Sequence, residues 1–303
     1  MKKILVSGAE GFIGRHVLDV LQSRGTYEIH AVRCKRSYRK VAGIRWHQAD
    51  LLDAGQTAKL IKDTRPDFLL HFAWCTKPKE YWTSEQNRLW ENASIDLAER
   101  FYENGGKKMV GAGTCAEYKW SSDVFFEQET PLQPATLYGQ CKSRVASFLE
   151  QYSRKHGVYS AWGRIFFVYG PYEDPCRFVP SIMRSLLQNR PALCTHGTQS
   201  RDFLYVKDVA SAFVALLESD VIGAVNISSG QPVVLKDVIY RIADMLHRRE
   251  LIQLDSLAAP KNETRQIVGD NHRLTDEVGW RPGYDLETGL VQTMLYWKKM
   301  REK

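Results

Sequence analysis

Apolar residues along the chain fall into short runs separated by stretches with helical spacing. Lys3–Ser7, Tyr27–Val32, Ile44–His47, Phe68–Phe72 and Lys107–Gly111 read as strands. Between them, Val17, Leu18 and Leu21 give Arg15–Arg24 a helical spacing, and Leu89–Tyr102 reads as another helix. Strands alternating with helices predict an α/β fold on a doubly wound parallel sheet, with ligands at the strand C-termini. After Tyr169 the alternation weakens. Phe178–Gln188, Val206–Ser219 and Lys236–His247 read as helices, Ala224–Ile227 as a strand, and Arg190–Gln199 as a loop or hairpin. Lys236–His247 is amphipathic, with Val238, Ile239, Ile242 and Leu246 on one side. Asp285–Met300 reads as the last helix, and its Leu290, Met294 and Trp297 are expected to pack.

Composition narrows the function classes. At 303 residues the chain can build one large domain or two lobes with a shared core. Hydrophobic content of 44% and charged content of 25% are ordinary for a globular protein. No apolar run approaches the roughly 18 residues of a membrane span. Met1–Ser7 reads as a first strand rather than a signal peptide. The six cysteines form no C-x-x-C pair and no zinc pattern with the eight histidines, so we expect reduced thiols, a cytoplasmic location and no metal. The net charge of +7 is spread out, with local excess at Arg33–Lys40 and Lys298–Lys303. No basic-aromatic nucleic-acid module is visible. The balance therefore points to an anionic small molecule, with the final run as a solvated tail.

Gly8, Gly11 and Gly14 stand between the first strand and the first helix, as G-x-x-G-x-x-G rather than G-x-G-x-x-G. Glycines there allow a sharp turn and close approach to a pyrophosphate, and the helix start offers free N–H groups. With Phe12 and Ile13 inside it, this segment reads as a dinucleotide site. The predicted organisation is a Rossmann unit of residues 1–168 plus 202–228 and a smaller α/β substrate lobe of 169–201 plus 229–303. An acidic residue would hold the ribose hydroxyls of NAD at the end of the second strand. Arg33 stands there instead, followed by Lys35, Arg36, Arg39 and Lys40, and Arg15 could join them. A guanidinium pairs with a 2′-phosphate, so NADP(H) is expected, with NAD(H) as the alternative.

Thr114 falls at a strand C-terminus, where its hydroxyl can bond a substrate carbonyl or cap a turn. Tyr138 and Lys142 lie four residues apart, on one face of a helix. A phenol ionises near pH 10 in isolation (about 10), and a neighbouring ammonium favours the phenolate. Such pairs also occur on ordinary helix faces, so the weight comes from the rest of the chain.

Taken together, the residues resemble the extended short-chain dehydrogenase/reductases acting on nucleotide sugars, over nearly the whole chain. The resemblance rests on the three glycines; Asp50-Leu51; Leu70-His71-Phe72-Ala73; Thr114 four residues before Tyr118; Tyr138 with Lys142; Arg164 with Tyr169-Gly170-Pro171; Arg201-Asp202-Phe203 with Val206 and Asp208; and Gly279-Trp280-Arg281-Pro282. It implies that Tyr138 is the acid/base, that Lys142 lowers its pKa and binds the nicotinamide ribose, and that Thr114 holds the carbonyl oxygen. Asp50 and Leu51 would flank adenine, and Phe72, Ala73 and Trp74 would run along the cofactor. Cys115, Tyr169, Phe178, Val179 and Arg201 would line the substrate, Arg201 contacting its diphosphate. Asn92 looks like the helix asparagine that supports the catalytic region, or else a surface residue. A homodimer packing the Tyr138 helix is a family habit.

Two departures bear on the reaction. The 4,6-dehydratases of the family carry an acidic residue, often a pair, directly after the catalytic Thr. Here Cys115 and Ala116 stand there, and Glu117 would point elsewhere. Elimination of water needs an acid and a base, so dehydration is disfavoured. Phe167 stands where many members have the Asn that contacts the diphosphate. The expectation is a cytoplasmic NADPH-dependent reductase of a nucleotide-linked 4-keto, 6-deoxy sugar. The alternative is an NAD-dependent 4-epimerase.

Overall fold

The computed structural model describes residues 1–34, 41–259 and 264–301. Lys35, Arg36, Arg39 and Lys40 lie outside the described residues. In chain order the elements are β1 (Lys2–Ser7), α1 (Gly14–Arg24), β2 (Tyr27–Arg33), β3 (Ile44–Gln48), α2 (Ala54–Thr64), β4 (Phe68–His71), α3 (Gln86–Glu103) and β5 (Lys108–Thr114). Then come β6 (Val124–Phe125), α4 (Leu137–His156), β7 (Tyr159–Ile165), β8 (Phe167–Tyr169), α5 (Phe178–Leu187) and β9 (Ala192–Leu193). The chain closes with β10 (Ser200–Tyr205), α6 (Val206–Glu218), β11 (Gly223–Ile227), β12 (Pro232–Val234), α7 (Leu235–Leu246), β13 (Ile252–Gln253), β14 (Gln266–Gly269) and α8 (Leu286–Arg301).

Seven strands form one sheet in the order β3-β2-β1-β4-β5-β7-β11, and every neighbouring pair is parallel. Both faces are covered, as an all-parallel sheet requires. On one face Val17, Leu18 and Leu21 of α1 pack with Val209, Phe213 and Leu216 of α6. On the other, Leu60 and Ile61 of α2, Leu97 and Phe101 of α3, and Val145 and Leu149 of α4 form a second core. The chain reverses its direction of strand addition between β1 and β4. That switch point opens a crevice at the strand C-termini.

Strand β7 carries no apolar run, and its place is explained by glycines on its neighbour. A Cβ on Gly111 or Gly113 of β5 would lie 2.3 Å or 2.2 Å from the Trp162 indole. Two glycines thus make the room into which Trp162 packs.

A five-stranded sheet joins β12, β10, β14 and β6, with β8 on β10. Of these pairings only β10 with β12 is antiparallel. Helices α5, α7 and α8 close over it through Val179, Ile182, Met183, Val238, Ile239, Ile242 and Leu290. The Arg190–Gln199 stretch is no hairpin. Its short β9 pairs in parallel with the distant β13, so its partner came from outside any local pattern. The buried Asp202 carboxylate accepts from Ser229 N (2.7 Å), Ser229 Oγ (2.7 Å), Gly230 N (3.0 Å) and Gly269 N (3.2 Å), tying β10 to the loop after β11 and to the end of β14. Asp208 accepts from Gly283 N and Tyr284 N at 2.9 and 3.0 Å, anchoring the approach to α8. We propose 1–168 plus 202–228 and 169–201 plus 229–303 as the two units. The second sheet takes β6 and β10 across that boundary. Among the described residues, no helix is long and apolar enough to cross a membrane, and no group of three or more His, Cys, Asp or Glu could hold a metal ion.

Candidate active site

The glycine segment turns at the switch point itself. Gly8 has φ 63°, and a Cβ there would lie 2.7 Å from Ala73 N and the Phe72 carbonyl carbon. A Cβ on Gly14 would lie 2.2 Å from Gly8 O. Only glycines allow β1, the exit of β4 and the start of α1 to meet this closely. No side chain caps the first turn of α1. A dinucleotide pyrophosphate fits this arrangement: a bare backbone cradle facing an uncapped helix start. Beneath it, Ser7 Oγ accepts from Phe72 N (3.2 Å) and Ala73 N (3.3 Å) and meets His71 Nδ1 at 2.7 Å, while His71 Nε2 meets Ser94 Oγ at 2.8 Å. Burial holds His71 down to about 3, so the imidazole is neutral and the chain of bonds pins β1 to β4 and α3.

Arg33 ends β2, with its guanidinium 5.6 Å from the Trp46 ring centre. Asp50 and Leu51 follow β3, and Asp50 Oδ1 accepts from Leu52 N at 3.0 Å. Arg15 follows Gly14 in the first turn of α1. Its guanidinium donates to Glu10 O (2.6 Å) and Gly11 O (3.2 Å) and stacks on Tyr172 at 4.0 Å, which turns it toward the second lobe. Phe12 and Ile13 pack on that lobe's core. The Phe72 ring packs edge-on against Phe213, leaving its backbone toward Gly8.

Strand β5 delivers Thr114 into a tight turn, Cys115–Glu117. Thr114 Oγ1 accepts from Ala116 N (3.2 Å), and Glu117 Oε1 accepts from Thr114 N (2.9 Å), a reciprocal cap. Glu117 is fully buried and also accepts from Trp162 Nε1 and Arg164 Nε, both at 2.9 Å. Its carboxylate is thus turned into the protein, away from the position after Thr114. Burial pushes the Cys115 thiol up to about 12, so it is neutral.

Helix α4 begins against this turn. Thr136 caps it through Gly139 N at 3.1 Å. A Cβ on Gly139 would lie 2.3 Å from Ala116 O, so only glycine lets the helix start approach Thr114. The sequence motif Leu-Tyr-Gly-Gln-Cys-Lys contains this signal, although attention falls on its Tyr and Lys. A Gly139→Ala variant is expected to shift the helix start, lose about 1–3 kcal/mol of stability and most activity. Urea unfolding and turnover, measured together, check this.

Tyr138 is buried, and the nearby Thr114 hydroxyl favours its phenolate. Burial and the neighbouring Tyr81 outweigh this and push the phenol well above its usual range. Lys142 is buried too. Its Nζ donates to Ala112 O at 2.7 Å and lies 3.8 Å from the Trp74 ring centre. Burial brings it down to about 7, opposed by Glu117. The resemblance implies that Lys142 lowers the Tyr138 pKa. In this structure burial is the larger effect on the phenol, and the ammonium rests on Ala112 and Trp74.

Three aromatic rings from the segment after β4 wall in Tyr138: Tyr81 at 4.9 Å, Trp82 at 5.8 Å and Trp74 at 6.3 Å, all edge-on. Asn87 holds that segment. It accepts from Trp74 Nε1 (2.8 Å) and donates to Tyr81 O (2.7 Å) and Ser84 O (2.8 Å). Asn92 is exposed, so Asn87 is the buttressing asparagine of α3. Arg177, before α5, donates to Tyr81 Oη (3.3 Å) and Thr76 O (3.2 Å) and links the two lobes across the site. Neither Asn87 nor Arg177 is visible as a functional position in the sequence, because each acts through a contact rather than a motif.

Apart from Cys115, the positions read as substrate-lining lie on β8, α5 and β10. Tyr169 and Val179 are buried in the second lobe, and Tyr169 Oη donates to Leu286 O at 3.2 Å. Phe178 stacks on Phe203 at 6.0 Å. Arg201 donates to Ser200 O (2.8 Å) and Thr264 O (3.0 Å), and its guanidinium lies 5.5 Å from the Phe167 ring centre.

Comparison with known proteins places this geometry. The family model for the NAD dependent epimerase/dehydratase family matches residues 4–228. The dTDP-D-glucose 4,6-dehydratase of Mus musculus is 26% identical over 332 aligned positions, which cover 98% of this chain and 89% of that protein. The CDP-abequose synthase of Salmonella typhimurium is 24% identical over 302 positions, covering 96% of this chain and 97% of that protein. The UDP-glucose 4-epimerase of Thermotoga maritima, solved with UDP-glucose, is 25% identical and superimposes with a TM-score of 0.87 over 99% of each chain. With the match spanning the glycine cradle, Thr114, Tyr138 and Lys142, the chain belongs to the NAD dependent epimerase/dehydratase family.

Proposed function

We propose that the protein is an NADPH-dependent reductase of the keto group in a nucleotide-linked 4-keto-6-deoxy sugar. The observation that carries this reading is the environment of Glu117. The acid nearest Thr114 in sequence is bound by Thr114 N, Trp162 and Arg164, and Cys115 and Ala116 take the two positions before it. A ketone beside Thr114 and Tyr138 therefore finds a proton donor but no free acid and base for loss of water. The names of the relatives, which include dTDP-, UDP- and CDP-linked sugars, support a nucleotide-sugar substrate.

In this reading Gly8, Gly11 and Gly14 hold the pyrophosphate, Arg33 faces the 2′-phosphate, and Lys142 holds the nicotinamide ribose. The reduced nicotinamide, when bound, supplies the hydride. Thr114 orients the carbonyl oxygen. Tyr138, protonated because it is buried, gives that oxygen its proton. Thr114 and the Lys142 ammonium then stabilise the phenolate left behind. Arg201 offers the cation for the diphosphate, with Phe167 where an amide contact is lost.

The test is consumption of the reduced cofactor, read by its near-ultraviolet absorbance, with 4-keto-6-deoxy sugars linked to dTDP, UDP, CDP or GDP. Turnover with at least one of them, faster with NADPH than with NADH, is the expected result. No consumption with any of them overturns the proposal.

A further inference from the structure

Lys142, when protonated, finds little in the fold to balance its charge. It is fully enclosed, and among the described residues its ammonium has one hydrogen-bond acceptor, Ala112 O at 2.7 Å, and no ion-pair partner. An ammonium has three donors and is costly to bury alone. The electron-rich group against it is the face of Trp74, 3.8 Å from Nζ, with Trp162 farther off at 5.7 Å. The Trp74 indole is itself fixed. Its Nε1 donates to Asn87 Oδ1 at 2.8 Å, and the Asn87 amide is locked on Tyr81 O and Ser84 O. Its ring also meets Tyr138 edge-on at 6.3 Å. One side chain thus touches both the phenol and the ammonium.

We propose that Trp74, clamped by Asn87, is a positioning residue that keeps Lys142 charged and aims its remaining N–H at the cofactor ribose. With one proton on Ala112 O and one toward the indole face, the third is left for a ribose hydroxyl. The inference rests on the reading of Lys142 given above. The other groups around the ammonium do not replace the ring. Tyr138 and Cys141, on the same helix, and Tyr81 and Cys115, beside Tyr138, are neutral at physiological pH. His71 of β4 is neutral as well. Among the described residues, Glu117 is the one anion that favours the ammonium, and it is already paired with Arg164 of β7 at 2.9 Å.

The experiment measures NADPH affinity by calorimetry from mildly acidic to alkaline pH, for the wild type and for Trp74→Leu, Trp74→Phe and Lys142→Met. Wild-type affinity should fall as pH rises through the Lys142 ionisation. Trp74→Leu should move that fall about one unit lower, so that its deficit against the wild type widens as pH rises, to about tenfold at the alkaline end. Trp74→Phe keeps a π face but loses the Asn87 bond, so its midpoint should fall between those of the wild type and Trp74→Leu, with circular dichroism confirming that both variants fold. Lys142→Met should show no such fall. A Trp74→Leu variant that loses affinity equally at every pH, or whose midpoint does not move, overturns the proposal. A wild type that binds no pyridine nucleotide overturns the functional reading, and this inference with it.

Discussion

Replacing Tyr138 by Phe is expected to slow ketone reduction by about 10²–10⁴-fold while leaving NADPH binding and folding close to those of the wild type, because a positioned general acid contributes about that much. The ring keeps its edge-on contacts with Tyr81, Trp82 and Trp74, so the aromatic wall stays intact. What is lost is the phenolic proton. Removing one buried hydroxyl changes stability by only about 1 kcal/mol. Turnover in saturating substrate, with a parallel cofactor titration, separates the chemical step from binding. A variant that retains activity within a few-fold would show that another group protonates the oxygen.

The second large effect falls on stability. Glu117→Ala is expected to destabilise the protein by about 3–5 kcal/mol, since it strands the buried Arg164 guanidinium. It also orphans the N–H groups of Thr114 and Trp162. Glu117→Gln can still accept from those two but sets an N–H against Arg164, so it too should lose stability. Urea unfolding measures both. A dehydratase acid at this position would give the opposite pattern: a stable Glu117→Gln protein with its chemistry abolished. The distinction matters because a mouse relative is a dTDP-D-glucose 4,6-dehydratase.

Much of the fold is legible in the sequence because it is periodic. The runs at β1, β2, β3 and β4 and the apolar spacing in α1, α6 and α7 follow from local pattern. The glycine segment is legible from its place between a strand and a helix, and Tyr138 with Lys142 from their four-residue spacing on α4. Strand β7 is hidden, because Trp162 and Gly163 break its apolar run, and the glycines that accommodate Trp162 lie on β5. The strands of the second sheet are short and find their partners far along the chain, as β8 does on β10 and β6 on β14. The site shows the same division. Residue types and spacings point to Thr114, Tyr138 and Lys142. The parts that set them in place, Gly139 against Ala116, Asn87 on Trp74 and Glu117 between Trp162 and Arg164, are contacts between segments that no short motif joins.

The most direct measurement follows the hydride. The protein is mixed with a nucleotide-linked 4-keto-6-deoxy sugar and NADPH dideuterated at the transferable nicotinamide carbon, and the product is examined by mass spectrometry and proton NMR. The account predicts one deuterium at the former keto carbon and one oxidised cofactor per sugar reduced. An unlabelled sugar with the cofactor still reduced, beside a protein that keeps NAD through purification and inverts an ordinary sugar nucleotide without net redox change, would contradict it.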